Sequence, residues 1–248
     1  MRHSVELTLA RLAVRQVAGS RRALWVVLLA ALPVLMSLLF GADSEGPADA
    51  IKDFGELYTK LIVTVLLPLV ALVVGSSVFG SEVDDGTITY VLGKPVARWR
   101  IVLTRIVVAG LVTAAVLVPS TLLSGVAALR GVDAPGVISA FTAAVAVGSF
   151  LYCALFVALS LSTRRALVAG LAYVVVWEGL LSNTFGGSRA LSIRQYTLSI
   201  ADRLVHSDAI SLSRLDVKTA LVMAAVVTTL ATLHAIRRLR IFEIGEAA

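Results

Sequence analysis

Apolar residues fall into six long runs set apart by shorter polar stretches: 24–40, 61–79, 101–129, 137–161, 166–182 and 220–236. A bilayer-spanning helix uses about 20 residues, and only helices and closed barrels satisfy their backbone polar groups in hydrocarbon. The runs lack the period-2 alternation of barrel strands, which leaves helices. The pattern predicts an all-α integral membrane protein: six transmembrane helices in one domain over residues 1–248, with an outer segment at 183–217.

The polar stretches orient these helices. Arg2, Arg11, Arg15, Arg21 and Arg22 precede the first run, whereas Asp43, Glu45, Asp49, Asp53 and Glu56 follow it against only Lys52 and Lys60. That asymmetry places the N-terminus inside. Taking the spans in turn puts Lys94, Arg98, Arg100 and Arg105, then Arg164 and Arg165, then Arg237, Arg238 and Arg240 on the same side, so both termini are cytoplasmic. The fifth connection departs from this, with Arg189, Arg194, Arg203, Arg214 and Lys218 outside, but long translocated loops obey the rule weakly. Within residues 1–22, Thr8, Arg11 and Arg15 share one helical face and Val5, Leu9, Leu12, Ala13 and Val17 the other, the pattern of an amphipathic helix lying on the inner leaflet.

Smaller features refine the helices. Pro33, Pro68 and Pro119 lie inside runs and predict bends. Ala140, Ala144 and Gly148, at four-residue spacing, form a small-residue seam for close helix packing. In the outer segment, Ser192 and Gln195 sit at capping-box spacing with Leu191 and Tyr196 placed for a hydrophobic staple, predicting a helix with Ile193, Ile200 and Leu204 on one side.

Composition agrees and narrows the chemistry. Hydrophobic residues make up 58% of the chain and mean hydropathy is +0.91, well above the roughly 45–50% apolar content of a soluble domain. Cys153 is the single cysteine, so neither an internal disulfide nor a Cys-based metal site is available. The net charge of +6 is dispersed at run ends, where topology explains it without nucleic acid. No phosphate loop or metalloprotease or hydrolase motif occurs; Gly93 and Lys94 are followed by Pro95, which has no hydroxyl for Mg²⁺. His3, His206 and His234 are scattered. No catalytic, cofactor-binding or metal-binding residue is expected in this chain, which is read as a non-enzyme. Glu178 is the one acidic residue within the runs, and such a charge is a candidate pathway or gate residue. Its position near the end of the fifth run also fits a carboxylate that reaches outer water or pairs with an outer arginine.

The connection between the second and third runs is the most informative stretch. It starts acidic and ends basic: Asp84 and Asp85 favour the start of a short helix, and Gly93, Lys94 and Pro95 stop it. Ile88, Tyr90, Val91 and Leu92 make that helix more apolar than a solvated turn needs, so a partner is expected to cover it. The run GSEVDDGTITYVLGKPVARWRIVLTRI resembles the corresponding connection of type 2 ATP-binding-cassette permeases at Glu82, Gly86, Thr87, Leu92, Pro95, Val96, Ala97, Arg98 and Arg105. The segments VVWEGLLSN and LSIRQYTLSIAD also resemble bacterial members.

This resemblance implies a permease subunit of an exporter in the cell (plasma) membrane. It would dock a separate ATPase subunit through Glu82, Asp84, Asp85, Gly86, Thr87, Ile88, Tyr90, Val91, Leu92, Pro95 and Arg98, and pair with a second permease copy or a homologous permease. The outer helix would be a counterpart of the family's re-entrant helices. Rival readings are a secondary transporter or channel, which would need coupling charges near the bilayer centre, a membrane-embedded enzyme, and an anchor that recruits an ATPase without transport. Span side chains are Ala, Val, Leu and a few Ser and Thr, suiting lipids, hydrophobic drugs or peptides alike.

Overall fold

The computed structural model describes residues 21–40, 46–84, 97–163, 165–181, 187–205, 212–213 and 215–244. Every described element is helical. Helix α1 is Arg21–Phe40; α2, Pro47–Leu57, passes through a π-helical stretch, Tyr58–Leu66, directly into α3, Leu67–Asp84. Helices α4, Arg98–Ala128, and α5, Pro135–Ser162, follow, then α6, Ala166–Ala172, which continues as a second π-helical stretch, Tyr173–Leu181. A 3₁₀ turn, Gly187–Leu191, leads to α7, Ile193–Leu204, and α8 is Val217–Ile244.

Four described helices are long and apolar enough to cross a bilayer: Pro47–Val78, Arg98–Ala128, Gly136–Ser162 and Val217–Leu239. The apolar parts of α1 and of the fifth helix, Val26–Leu39 and Ala166–Leu180, are shorter. Large apolar side chains face outward on the bundle, with Val168 66% and Leu230 60% exposed. Such surfaces are at home in hydrocarbon and a liability in water.

Helix α5 is the hub, packing against α3, α4, α6, α7 and α8, while α1 lies on α4. The Ser120 hydroxyl on α4 donates to the Ala30 carbonyl at 2.5 Å, in the turn of α1 that Pro33 weakens by removing a donor. Ala140 and Ala144 are buried. At Gly148 of the same seam, a Cβ would come within 2.7 Å of Thr197 Oγ1 and 2.8 Å of Leu67 Cδ2, so this backbone is where α5 meets both α3 and α7.

One sequence expectation changes. Residues 47–60 form a helix continuous with the second apolar run rather than a loop. Ala50, Phe54 and Tyr58, four residues apart, are buried, and Tyr58 stacks on Phe141 with ring centroids 4.0 Å apart; Asp49, Lys52, Asp53, Glu56 and Lys60 stay on the outer surface of the helix. Helix runs through all three prolines, and at Pro68 the ladder has already shifted register: the Leu67 N–H bonds Ile62 O, five residues back, and the Thr64 hydroxyl bonds Thr59 O at 2.5 Å. A π-helical stretch absorbs the lost donor within the helix.

Candidate functional site

Two places gather polar chemistry. The first is where the C-terminal end of α3 and the N-terminal end of α4 lie together. Helix α3 runs through Glu82 to Asp84, so Asp84 is the last residue of this helix instead of opening the next one. Asp85, Gly86, Thr87, Ile88, Tyr90, Val91, Leu92 and Pro95 lie outside the described residues, as does the N-terminal amphipathic segment before Arg21. Arg98 is the first residue of α4, after Ala97 in the extended conformation of a helix N-cap. Two turns further, Arg105 is only 5% exposed, and its guanidinium donates to the backbone carbonyl of Val78 on α3.

The second place surrounds Glu178. The described part of the fifth helix, 16 residues of which nine are π-helical, rises at most about 24 Å, short of the roughly 30 Å hydrocarbon core. Glu178 lies twelve residues from its first residue, at most about 18 Å along it. It stands three residues before the last described residue of that helix, and the side chain is only 2% exposed. Reaching outer water is thereby excluded.

The carboxylate is held from two directions. From its own helix, the Tyr173 hydroxyl donates to Oε1 at 3.0 Å. The two residues are five apart, a spacing that the π register brings onto one face. From across the junction, Ser192 Oγ donates to Oε2 at 2.5 Å and the Ile193 N–H donates to Oε1 at 3.0 Å. The Arg194 N–H also turns toward it. Glu178 therefore occupies the N-terminus of α7, where unpaired N–H groups and the helix dipole favour an anion. Ser192 is the N-cap, accepting from Gln195 N–H at 3.3 Å. The reciprocal half of the predicted capping box is not made, because Ser192 N–H is taken by Arg189 O. Leu191 is exposed while Tyr196 is fully buried, its hydroxyl donating to Ala190 O at 2.5 Å. The Trp177 indole adds a bond to Leu191 O at 3.2 Å.

Helix α7 is thus inserted into the bundle. Thr197 meets Gly148, thirteen residues into α5, about 20 Å from that helix's N-terminal end. Its buried set, Ile193, Gln195, Tyr196, Thr197, Leu198, Ser199 and Ala201, covers more than the single side predicted, and Leu204 is exposed. Its other end is tied to the segment before α8: Ser199 Oγ donates to Leu215 O at 2.8 Å and Asp202 accepts from Leu212 N–H at 2.8 Å. Sequence reasoning singled out Glu178 and Ser192 separately but not their contact, nor Tyr173, whose signal is visible only with a five-residue register. Among the described residues no cluster of His, Cys, Asp and Glu has the makings of a metal site.

A family model described as "ABC-2 family transporter protein" matches residues 7–190. No curated protein matches the chain. The matched region contains both apolar helices of the Arg105 tie and Glu178, and it ends just before Ser192.

Proposed function

Starting from a chain that belongs to the ABC-2 family of transporter proteins, and is thus a membrane-embedded permease component of an ABC transporter, we propose that it is the transmembrane subunit of an exporter in the cell membrane. ATP hydrolysis takes place in separate ABC ATPase subunits, and this chain, holding no cofactor, couples that hydrolysis to efflux. Six crossings, with α1 and the fifth helix counted among them, keep every inner connection basic and both termini inside. The ATPase docks on the connection that contains Glu82, Asp84, Asp85, Gly86, Thr87, Ile88, Tyr90, Val91, Leu92, Pro95 and Arg98. A second permease, identical or homologous, completes the membrane part.

The observation that carries the export reading is the inserted outer helix. In this reading α7, whose N-terminus is bonded to Glu178, is the exit gate that an exporter needs at the outer end of its pathway, where an importer would need an open mouth. Glu178 is the gate residue in this reading. Its burial also favours one rival, a secondary transporter with a coupling carboxylate. Against that rival, both oxygens of Glu178 already accept bonds from the protein, which leaves less capacity for a transported ion.

The test is purification of the tagged chain from its native membranes. The reading expects an ABC ATPase to come with it and the complex to hydrolyse ATP in lipid nanodiscs. Glu178→Gln is expected to preserve that assembly and reduce efflux. A chain recovered without an ATPase, driving proton-dependent transport that Glu178→Gln abolishes, would establish the rival.

A further inference from the structure

A buried arginine in a membrane bundle calls for a physical reason, since a leucine or methionine of similar size would pack there without losing hydration. Arg105 is buried on α4 and donates to Val78 O on α3. A helical carbonyl has two lone pairs and is already served by its own ladder, so the bond is not needed to satisfy Val78. What it does is fasten two antiparallel helices at one level. Helix α3 extends six residues beyond Val78, and α4 begins seven residues before Arg105, about 9–10 Å of helix on each side.

On the membrane side of this tie both helices are softened. In α3 the sequence Gly75-Ser76-Ser77 precedes Val78, with Ser76 and Ser77 hydroxyls bonded back to Val73 O and Val74 O at 3.3 and 2.8 Å. Gly/Ser pairs and hydroxyls bonded into the ladder are where helices bend. In α4, Gly110 lies five residues beyond Arg105. Both glycines face α5 closely: a Cβ on Gly75 would be 3.0 Å from Phe156 Cβ, and one on Gly110 2.4 Å from the Phe150 ring.

We infer that Arg105 is a positioning residue for coupling: by pinning α4 to Val78 it makes the inner ends of α3 and α4 move as one body, bending at Gly75–Ser77 and Gly110 against Phe156 and Phe150 of α5. This rests on the exporter reading, in which the ATPase acts on the connection between these two ends. The arginine transmits the motion and takes no part in docking.

The experiment uses the chain purified with its ATPase, in nanodiscs, in a Cys153→Ala background. Spin-label pairs at 81/103 and 103/147 are measured without nucleotide and after vanadate trapping. In the wild type the 81/103 distance stays fixed and the 103/147 distance shifts. In Arg105→Met the ATPase still co-purifies, the 81/103 distribution broadens, and the 103/147 shift falls by at least half. Arg105→Lys, which keeps a charged donor but not the guanidinium fork, recovers part of both. Should Arg105→Met fail to accumulate, Arg105→Gln, too short to span the gap, is read in its place. A wild type that recruits no ATPase contradicts the exporter reading and this inference with it. A wild type that recruits one but changes its 81/103 distance, or an Arg105→Met chain that matches the wild type in both distances, overturns the inference alone.

Discussion

Ser192 donates to Glu178 at 2.5 Å while its oxygen accepts from the N–H of Gln195, so one hydroxyl caps α7 and fastens it to the fifth helix. Removing either partner leaves the other's buried group short of a bond. Bonds to charged groups are worth about 1.5–3 kcal/mol, and an N-cap about 1 kcal/mol. Ser192→Ala is expected to destabilise by about 1–2 kcal/mol and Glu178→Gln by about 1.5–3 kcal/mol. Because they share a bond, the double variant should lose less than the sum, by at least about 0.5 kcal/mol. Unfolding of detergent-solubilised protein measures this; strict additivity would mean that the two side chains act independently.

Gly148 supplies the second prediction. Gly148→Ala places a methyl 2.7 Å from Thr197 Oγ1 and 2.8 Å from Leu67 Cδ2, and overpacking of this kind costs about 1–3 kcal/mol. Thr197→Ala in the same chain should restore part of the loss by clearing Oγ1 and Cγ2. Gly136→Ala is the control, since nothing lies within 4 Å of its Cβ. Equal unfolding temperatures for Gly148→Ala and the control would show that α7 does not seat on α5 there.

How much of this was legible in sequence depended on what kind of pattern each feature left. The apolar runs needed only averaged hydropathy, and Ser192 announced its cap through the residue three places on. Helix α2 escaped because its buried residues, Ala50, Phe54 and Tyr58, are interleaved with five charged positions, so averaging hid a stripe that four-residue spacing would have revealed. The burial of Glu178 among donors from Tyr173, Ser192 and Ile193 depends on helix register and on packing across the chain, which its place near the end of an apolar run does not reveal. The π register at Tyr173–Leu181 pairs residues five apart, a spacing that α-helical wheels place on different faces. The Arg105 bond to Val78 joins residues 27 apart through packing, and no local pattern encodes it.

Topology gives the third prediction, read by cysteine labelling in a Cys153→Ala background. Positions 52 and 133 should react with an impermeant reagent from outside, and positions 85 and 237 only after permeabilisation. Within the outer stretch 41–60, positions 54 and 58 should stay protected, because Phe54 and Tyr58 are buried. Labelling of position 85 in intact cells would invert the account.

The central claim, an ATPase seated on the connection between α3 and α4, is tested most directly by recovery of the ATPase from detergent extracts at matched permease levels. Burying a large apolar side chain is worth about 1.5–3 kcal/mol, and a charge placed there costs more. Val91→Asp and Leu92→Asp are each expected to insert normally and to lose the ATPase, while Arg98→Ala, removing a rim charge worth about 0–1 kcal/mol, retains most of it. Asp variants that hold the ATPase as well as the wild type does would contradict the claim.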